Sequence, residues 1–597
     1  MVLLEKDALR GTLRRSALWL AARGGRHARS YAVLYAAAAG LVVLTAVAPT
    51  VSPKAAVAGA AAPGAAAGAG GPDSGAATPA ATASAGALAT GAPGAAPAAP
   101  GVQLGANGRP VPPGAIASAS DVTRIARGLE PGFGTTVAGV QCRPGVRQTS
   151  DIPYAPYCVP HYVGPNGGST YQGVTATTIG LCFREFNDAS TQAGNAAAEG
   201  ISGESQQQVE NTIDAYVKYF NTHYDFYGRQ IVLIRHTGHG SYSDETTGGG
   251  QDNARADALE CRDKGGFAEL AAGAESEVYT DALRNLTPQP LMSVAGPNYD
   301  PTEWYDGVSP YAWDMGMDCN NVVDIEANFI GRNLGKGNAR HAGDPVYQQS
   351  PRKFGLLVPD LPSYAHCGDL LQQYLQQRYG ITLTDRINYQ LNLATASAQT
   401  QNYVATFKQD GVTSLILLTD DFTPAFMTQN ADKAQWYPEW LISGIANVDV
   451  DMIGRAYQKD QWAHALGPSI LTEKAQNKNT ADGRAAYIAA TGSANGYAYS
   501  AEGYFRAIDH FANMLQMAGP DLTPQTMQQG IYYFPKSFGE YGTMYFGPHN
   551  HMVTHDMRLV YWSNTAVGAD GVVGCYVEID GGKRWTGADW PSGDPFP

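Results

Sequence analysis

The sequence lacks the short patterns that mark most enzymes and metal proteins. None of its seven cysteines forms a CxxC pair, which leaves no zinc ribbon and no thioredoxin-like site. Gly248-Gly249-Gly250 has no following Lys-Ser/Thr and is no phosphate loop, and there is neither a GxSxG elbow nor an HExxH helix. No cysteine precedes Cys142, so a lipid-modified cysteine at a membrane is not expected. Residues 55–108 hold almost nothing but Ala, Gly, Pro, Ser and Thr, with Asp73 their only charge. A stretch with so little to bury cannot offset the entropy of ordering itself, and 52–118 reads as a disordered linker.

What is present divides by charge. Of the 597 residues, the first 54 carry eight basic side chains against Glu5 and Asp7, a net of +6 within a chain of net −14. The remainder therefore stands at −20, which argues against a nucleic-acid partner. Residues 1–30 form a basic lead, and 31–51 (YAVLYAAAAGLVVLTAVAPTV) form an uncharged apolar run long enough to span a bilayer. A retained, single-pass anchor is favoured because the lead is longer than a signal-peptide n-region. Cleavage at Ala56-Val57-Ala58 is the competing reading. Either way the expected location is the cell membrane, with the folded part extracytoplasmic and the linker giving a reach on the order of 40 Å. Export implies disulfides. Cys142 with Cys158 is the favoured pair across a short Pro-rich segment, Cys319 with Cys367 a second guess, and an odd count leaves one thiol free.

Beyond a cysteine-containing lead-in at 119–169, strand and helix patterns alternate. Strands are expected at 177–183, 229–235, 267–270 and 290–294, with helices at 206–224 and 253–261. A second set has strands at 353–359, from 386, 414–418 and 440–443, and helices at 364–379, 397–409 and 423–434. Two such series imply an α/β fold of two doubly wound parallel-sheet lobes, with ligands at the carboxyl ends of the strands, in the cleft between them.

The segments Tyr154-Ala-Pro-Tyr-Cys158-Val-Pro, Gly164-Pro-Asn-Gly-Gly168, Gly173-Val-Thr-Ala-Thr-Thr-Ile179, Ala215 to Asn221, Tyr227 to Leu233, Ala501 to Asp509 and Met557 to Trp562 follow one another in a familiar order. Over roughly 140–597 the chain resembles the type I periplasmic binding proteins, in the branch of leucine/isoleucine/valine-binding proteins, and actinobacterial solute-binding proteins of ABC importers in particular. The resemblance implies a three-strand hinge, with one lobe from 170–310 and 455–548 and the other from 311–454 and 549–597. It also implies a monomer that closes on a small-molecule solute and passes it to an ABC permease, with no catalysis and no cofactor.

By the same resemblance the ligand would be met by loops after particular strands: Glu275 and Ser276, then Ser293, Ala295 and Gly296, then Tyr364 at a helix start, then Asp420 and Asp421 after the strand SLILL. The two aspartates suit an ammonium or sugar hydroxyls. Ser276 and Asp421 could equally cap helices, and Tyr364 could simply pack. Amino-acid binders place an acidic residue soon after the strand at 440–443. Gly444-Ile445-Ala446-Asn447 stands there, with Asp449 only later, so branched-chain amino-acid specificity is not implied. His549, His551 and His555 read as a polar loop rather than a zinc site, and His236 and His239 as solvated. Alternatives of other classes are a sensory ectodomain and a membrane-tethered hydrolase using Asp420 and Asp421 as acid and base.

Overall fold

Thr178–Glu185 (β1) is buried along its middle six residues, as a strand covered by helices on both faces must be. The computed structural model, which describes residues 114–245, 248–270, 276–296, 299–392 and 395–597, places it inside a five-stranded sheet. With β2 (Gln230–Thr237), β3 (Ala268–Leu270), β4 (Met292–Gly296) and β5 (Ala312–Asp314), the order is β2-β1-β3-β4-β5 and every pairing is parallel. The connections carry α1 (Gln206–His223), α2 (Gln251–Asp263) and α3 (Glu277–Arg284). A reciprocal capping box between Ser205 and Gln208 starts α1. A disulfide between Cys182 and Cys261, not expected from the sequence, ties β1 to α2. The two bridges that were expected, Cys142–Cys158 and Cys319–Cys367, are present, and Cys575 is the free, buried thiol.

After α4 (Cys319–Asn328) a second sheet begins. It is built from β6 (Phe354–Pro359), β7 (Asp385–Tyr389), β8 (Ser414–Leu417), β9 (Glu439–Ile442) and β10 (Ala465–Ser469), linked by α5 (Pro362–Tyr379), α6 (Ala396–Gln409) and α7 (Thr423–Lys433). These strands run parallel in the order β10-β9-β8-β6-β7. The chain then returns to the first lobe as α8 (Asp482–Thr491), α9 (Glu502–Ala518) and α10 (Pro524–Ile531). It crosses back to add β11 (Met557–Val567), β12 (Val573–Glu578) and β13 (Arg584–Trp585) antiparallel at the far edge.

Each lobe has its own core. The first gathers Leu181, Phe220, Phe267, Val294, Phe511 and Met514, and α9 is buried at every position but Gly503 and Tyr504. In the second, alternate residues of the strands face two clusters, Leu356 and Leu441 on one side and Leu357, Leu415 and Trp440 on the other.

Four expectations are corrected or fall outside the described residues. The second sheet is mixed rather than wholly parallel, because β11 joins β10 in the antiparallel sense. The first crossing follows Asp314 rather than 310, since β5 pairs with β4. The second follows Ser469 rather than 454: ALGPS forms β10 although its Gly-Pro reads as a turn. The apolar run 31–51 and the linker lie outside the described residues, among which no helix is long and apolar enough to cross a membrane.

Inside the second lobe Glu439 is fully buried and receives both Nε (2.8 Å) and Nη2 (2.9 Å) of Arg352, the Ser414 hydroxyl (2.6 Å) and the His341 backbone N–H (3.1 Å). Removing Glu439 would leave the buried guanidinium with the Leu334 carbonyl (2.8 Å) and, farther off, Asp594 (3.7 Å). Glu439→Ala is expected to cost about 3–5 kcal/mol, read as a lower urea midpoint; a loss under 1 kcal/mol would contradict this account.

Candidate functional site between the lobes

Parallel strands deliver their carboxyl ends to one side of a sheet, and here the two sheets turn those sides toward each other. Glu277, in the first turn of α3, accepts the backbone N–H of Ser363 at the start of α5 (2.9 Å). Tyr299, which follows β4, accepts the N–H of Ala446 after β9 through its hydroxyl (2.9 Å), and its ring meets Tyr364 edge-on with centroids 5.5 Å apart. Tyr299, Ala446 and Asn447 all hold positive φ (51°, 49° and 61°). For residues with a side chain that backbone is costly and has to be held in place by its surroundings. The strained turns lie on both sides of one inter-lobe contact.

Three crossing segments close the gap at its base. The Gly316 carbonyl accepts the N–H groups of both Val553 and Thr554 (3.0 Å each), which ties the first crossing to the third. Arg584 donates to the Ile470 carbonyl (2.8 Å) and to Asp556 (2.7 Å), which ties the second to the third.

Tyr364 is buried to 9% exposure. Its phenol is pushed well above its ordinary range, first by burial and then by Tyr299, Tyr242, Asp420 and Asp421. Those residues therefore share one neighbourhood, with Tyr242 from the first lobe among them. Within the aspartate pair the roles differ. Asp420 accepts the N–H groups of Phe422 (2.8 Å) and Thr423 (2.7 Å), the Thr423 hydroxyl (2.6 Å) and the Tyr389 hydroxyl, so it caps α7. The Asp421 carboxyl is raised to about 7 by burial first and by Asp420 second, with the Asn447 side chain pulling it back.

The remaining expected contact residues take the following places. Ser276 is the N-cap of α3: it accepts Tyr279 N–H (3.0 Å) and donates to Glu245 (2.6 Å), itself bidentate on the buried Arg184. Ser293 is buried within β4, Ala295 is in the same strand, and Gly296 ends it opposite Asp314. Glu275 lies outside the described residues. His236 is buried at 4% exposure rather than solvated, because β2 carries it inward beside Glu269. His239 is half exposed, as expected. Of the three C-terminal histidines, His549 and His551 both lie against Asp306, at 2.8 and 3.7 Å, with His551 packed on Trp313, while His555 stacks on Tyr545. A depression of about 400 Å³ lined by His341, His464, Trp562 and Phe596 opens at the amino end of β10, away from the gap.

Sequence reasoning missed Tyr299, Glu277 and Asn447. Only Asn447 left a trace, as a residue type tolerant of positive φ after a buried strand.

No protein-family model matches this chain, and no curated protein matches it. Solved structures do resemble it. A solute-binding protein of an ABC transporter from Rhodopseudomonas palustris, in complex with 3,4-dihydroxybenzoic acid, aligns with a TM-score of 0.49 and 12% identity over 69% of this chain and 98% of that one. A substrate-binding periplasmic protein from Ralstonia solanacearum gives 0.47 and 14% over 67% and 99%. A leucine-, isoleucine-, valine-, threonine- and alanine-binding protein from Brucella ovis, in a closed conformation, gives 0.46 and 12% over 70% and 98%.

Asp421 makes a pH prediction. Its folded-state pKa of about 7 lies above the usual 3.8, so the folded chain holds the extra proton. That contribution favours folding at low pH and is lost as pH rises from about 4 through 7. Asp421→Asn is expected to flatten this part of the stability–pH curve and to gain most above pH 7. Urea melts at pH 5 and pH 8 that differ equally for both proteins would refute it.

Proposed function

We propose that this chain is a membrane-tethered extracytoplasmic solute-binding protein, which captures a small polar molecule between its lobes for an ABC importer. The reading rests above all on one observation: two independently cored α/β lobes, joined by three crossings, meet through side chains at the carboxyl ends of their strands. In such an arrangement the free energy of closure comes from contacts that exist only when both lobes hold the same molecule. The apolar run at 31–51 and the Ala-, Gly- and Pro-rich stretch after it supply the anchor and tether of this reading, and the permease is the partner it requires.

Tyr364 and Asp421 are the proposed contacts from the second lobe, with Tyr299 and Tyr242 opposite. A hydrolase would need Asp420 and Asp421 as a working pair, but Asp420 is committed to capping α7, which disfavours that alternative.

Full-length protein in detergent, screened by thermal shift against amino acids, amides, organic acids, sugars and polyols, should give a stabilising hit that is recovered unchanged. Near a hundredfold excess over Kd the gain is about 2.7 kcal/mol. Asp421→Ala and Tyr364→Ala should each abolish the hit without unfolding the protein. Glu277→Ala should weaken it roughly five- to tenfold, the worth of about one hydrogen bond, and should enlarge the radius of gyration in solution scattering. Turnover of the hit, or a hit indifferent to all three substitutions, would refute the proposal.

A further inference from the structure

A guanidinium enclosed by protein normally meets a carboxylate, because an uncompensated buried charge is among the costliest features a fold can carry. Arg506 on α9 has no such partner. It is 9% exposed, and its one hydrogen bond runs from Nη2 to the Thr554 hydroxyl (2.6 Å), a neutral acceptor in the third crossing. Nε is buried without any acceptor, which leaves Nη1 as the edge open to solvent. The face of the group lies over the Tyr541 ring, 3.9 Å from its centroid. Of the other buried arginines, Arg184 meets Glu245 and Asp257, Arg352 meets Glu439 and Arg558 meets Glu578, while Arg229 gives its donors to the backbone carbonyls of Thr175, Pro520, Asn166 and Gly168.

The surroundings explain why the vacancy is not filled internally. The groups that influence Arg506 most after burial are Tyr541, Tyr154, Asp314 and Tyr299. Asp314, the carboxylate among them, is engaged by the Tyr305 hydroxyl (2.9 Å) and the Gly316 N–H (2.7 Å) and stands near neutrality. One turn along α9, His510 is fully buried with no hydrogen-bond partner on either ring nitrogen, and burial together with the Arg506 charge keeps it neutral. No described residue supplies the missing negative charge.

Position gives the vacancy its meaning. Arg506 touches the third crossing at Thr554 and lies near Asp314, where the first begins, and near Tyr299, whose hydroxyl and ring reach Ala446 and Tyr364 of the second lobe. We propose that Arg506 is the anion-binding residue at the floor of the inter-lobe gap, and that the captured solute is a small organic carboxylate whose acid group docks on its open edge. The tyrosines beside it, Tyr541, Tyr154 and Tyr299, the last in ring contact with Tyr364, suit an apolar or aromatic body on that acid. This rests on the solute-binding reading and narrows its ligand class from polar molecules in general to anions.

The test uses the full chain and monocarboxylates, each set against the uncharged amide and the amine of the same skeleton: acetate, benzoate and phenylacetate with acetamide, benzamide, phenylacetamide and the matching amines. At least one acid should raise the melting temperature while its amide does not. Arg506→Gln should weaken that acid at least a hundredfold, and Arg506→Lys should retain part of the affinity. A second readout is independent of ligand. If the guanidinium is kept for an anion, Arg506→Met should melt at or above the unsubstituted chain when no ligand is present; a structural guanidinium predicts a clear drop. Acids that bind no better than their amides, affinity that survives Arg506→Gln, or a destabilised Arg506→Met protein would overturn the assignment. If amines or neutral solutes bind and acids do not, only the anion class falls. Silence from every solute, including the wider screen above, removes the solute-binding reading with it.

Discussion

A parallel strand cannot turn back on itself. Each must be followed by a crossover that returns the chain to the starting edge, so every carboxyl end collects on the same side of the sheet. This chain obeys that constraint twice, in β1–β5 and in β6–β10. Everything of functional interest follows from it: the loops with strained backbone, the helix starts of α3 and α5, and the Asp420–Asp421 pair all fall where strands end. Because α8–α10 belong to the first core and β11–β13 to the second sheet, the two halves cannot separate into consecutive domains. The chain has to cross three times, and the crossings form the base of the gap.

Burial of charge separates structural polarity from functional polarity. Arg184 and Arg352 are buried, yet each is answered by carboxylates and by further donors: Ser276 on Glu245, Ser414 and the His341 backbone on Glu439. Those networks hold each lobe as a unit. Around the gap the pattern is different. Asp421 is pushed toward neutrality by burial and then by its acidic neighbour, with a backbone N–H and the Asn447 side chain pulling the other way, and Arg506 faces tyrosines. Incomplete compensation, rather than burial itself, is what singles out Asp421 and Arg506 as the proposed contacts.

The alternation of periods in the sequence was enough to read the strands at Thr178–Glu185, Gln230–Thr237, Phe354–Pro359 and Ser414–Leu417, because each is an apolar run bounded by turn residues. It failed at Ala465–Ser469, where Gly and Pro suggest a turn, and where pairing on both sides imposes a strand regardless. Local sequence likewise failed to separate Asp420 from Asp421. Adjacent aspartates after a strand look alike until helix α7 begins at Thr423 and its free N–H groups claim the first of them. Ser276 was readable as a cap or as a contact, and the structure uses it as a cap that also donates to Glu245, 31 residues away in sequence.

Arg506 was invisible for a related reason. In Tyr504-Phe505-Arg506-Ala507-Ile508 a single arginine on a helix reads as a solvated face, and nothing nearby in sequence contradicts that. Only the fold, by burying α9 almost all round its circumference, turns an ordinary arginine into an uncompensated charge. The same enclosure carries a consequence for closure. Thr554, which holds Nη2, shares the Gly316 carbonyl with Val553, so the contact that orients the guanidinium is made to a segment bound to the hinge rather than to either sheet. On the proposed reading, a charge held there would lie near the axis of closure and could hold one end of a solute, with Tyr364 and Asp421 of the second lobe left to discriminate what it holds.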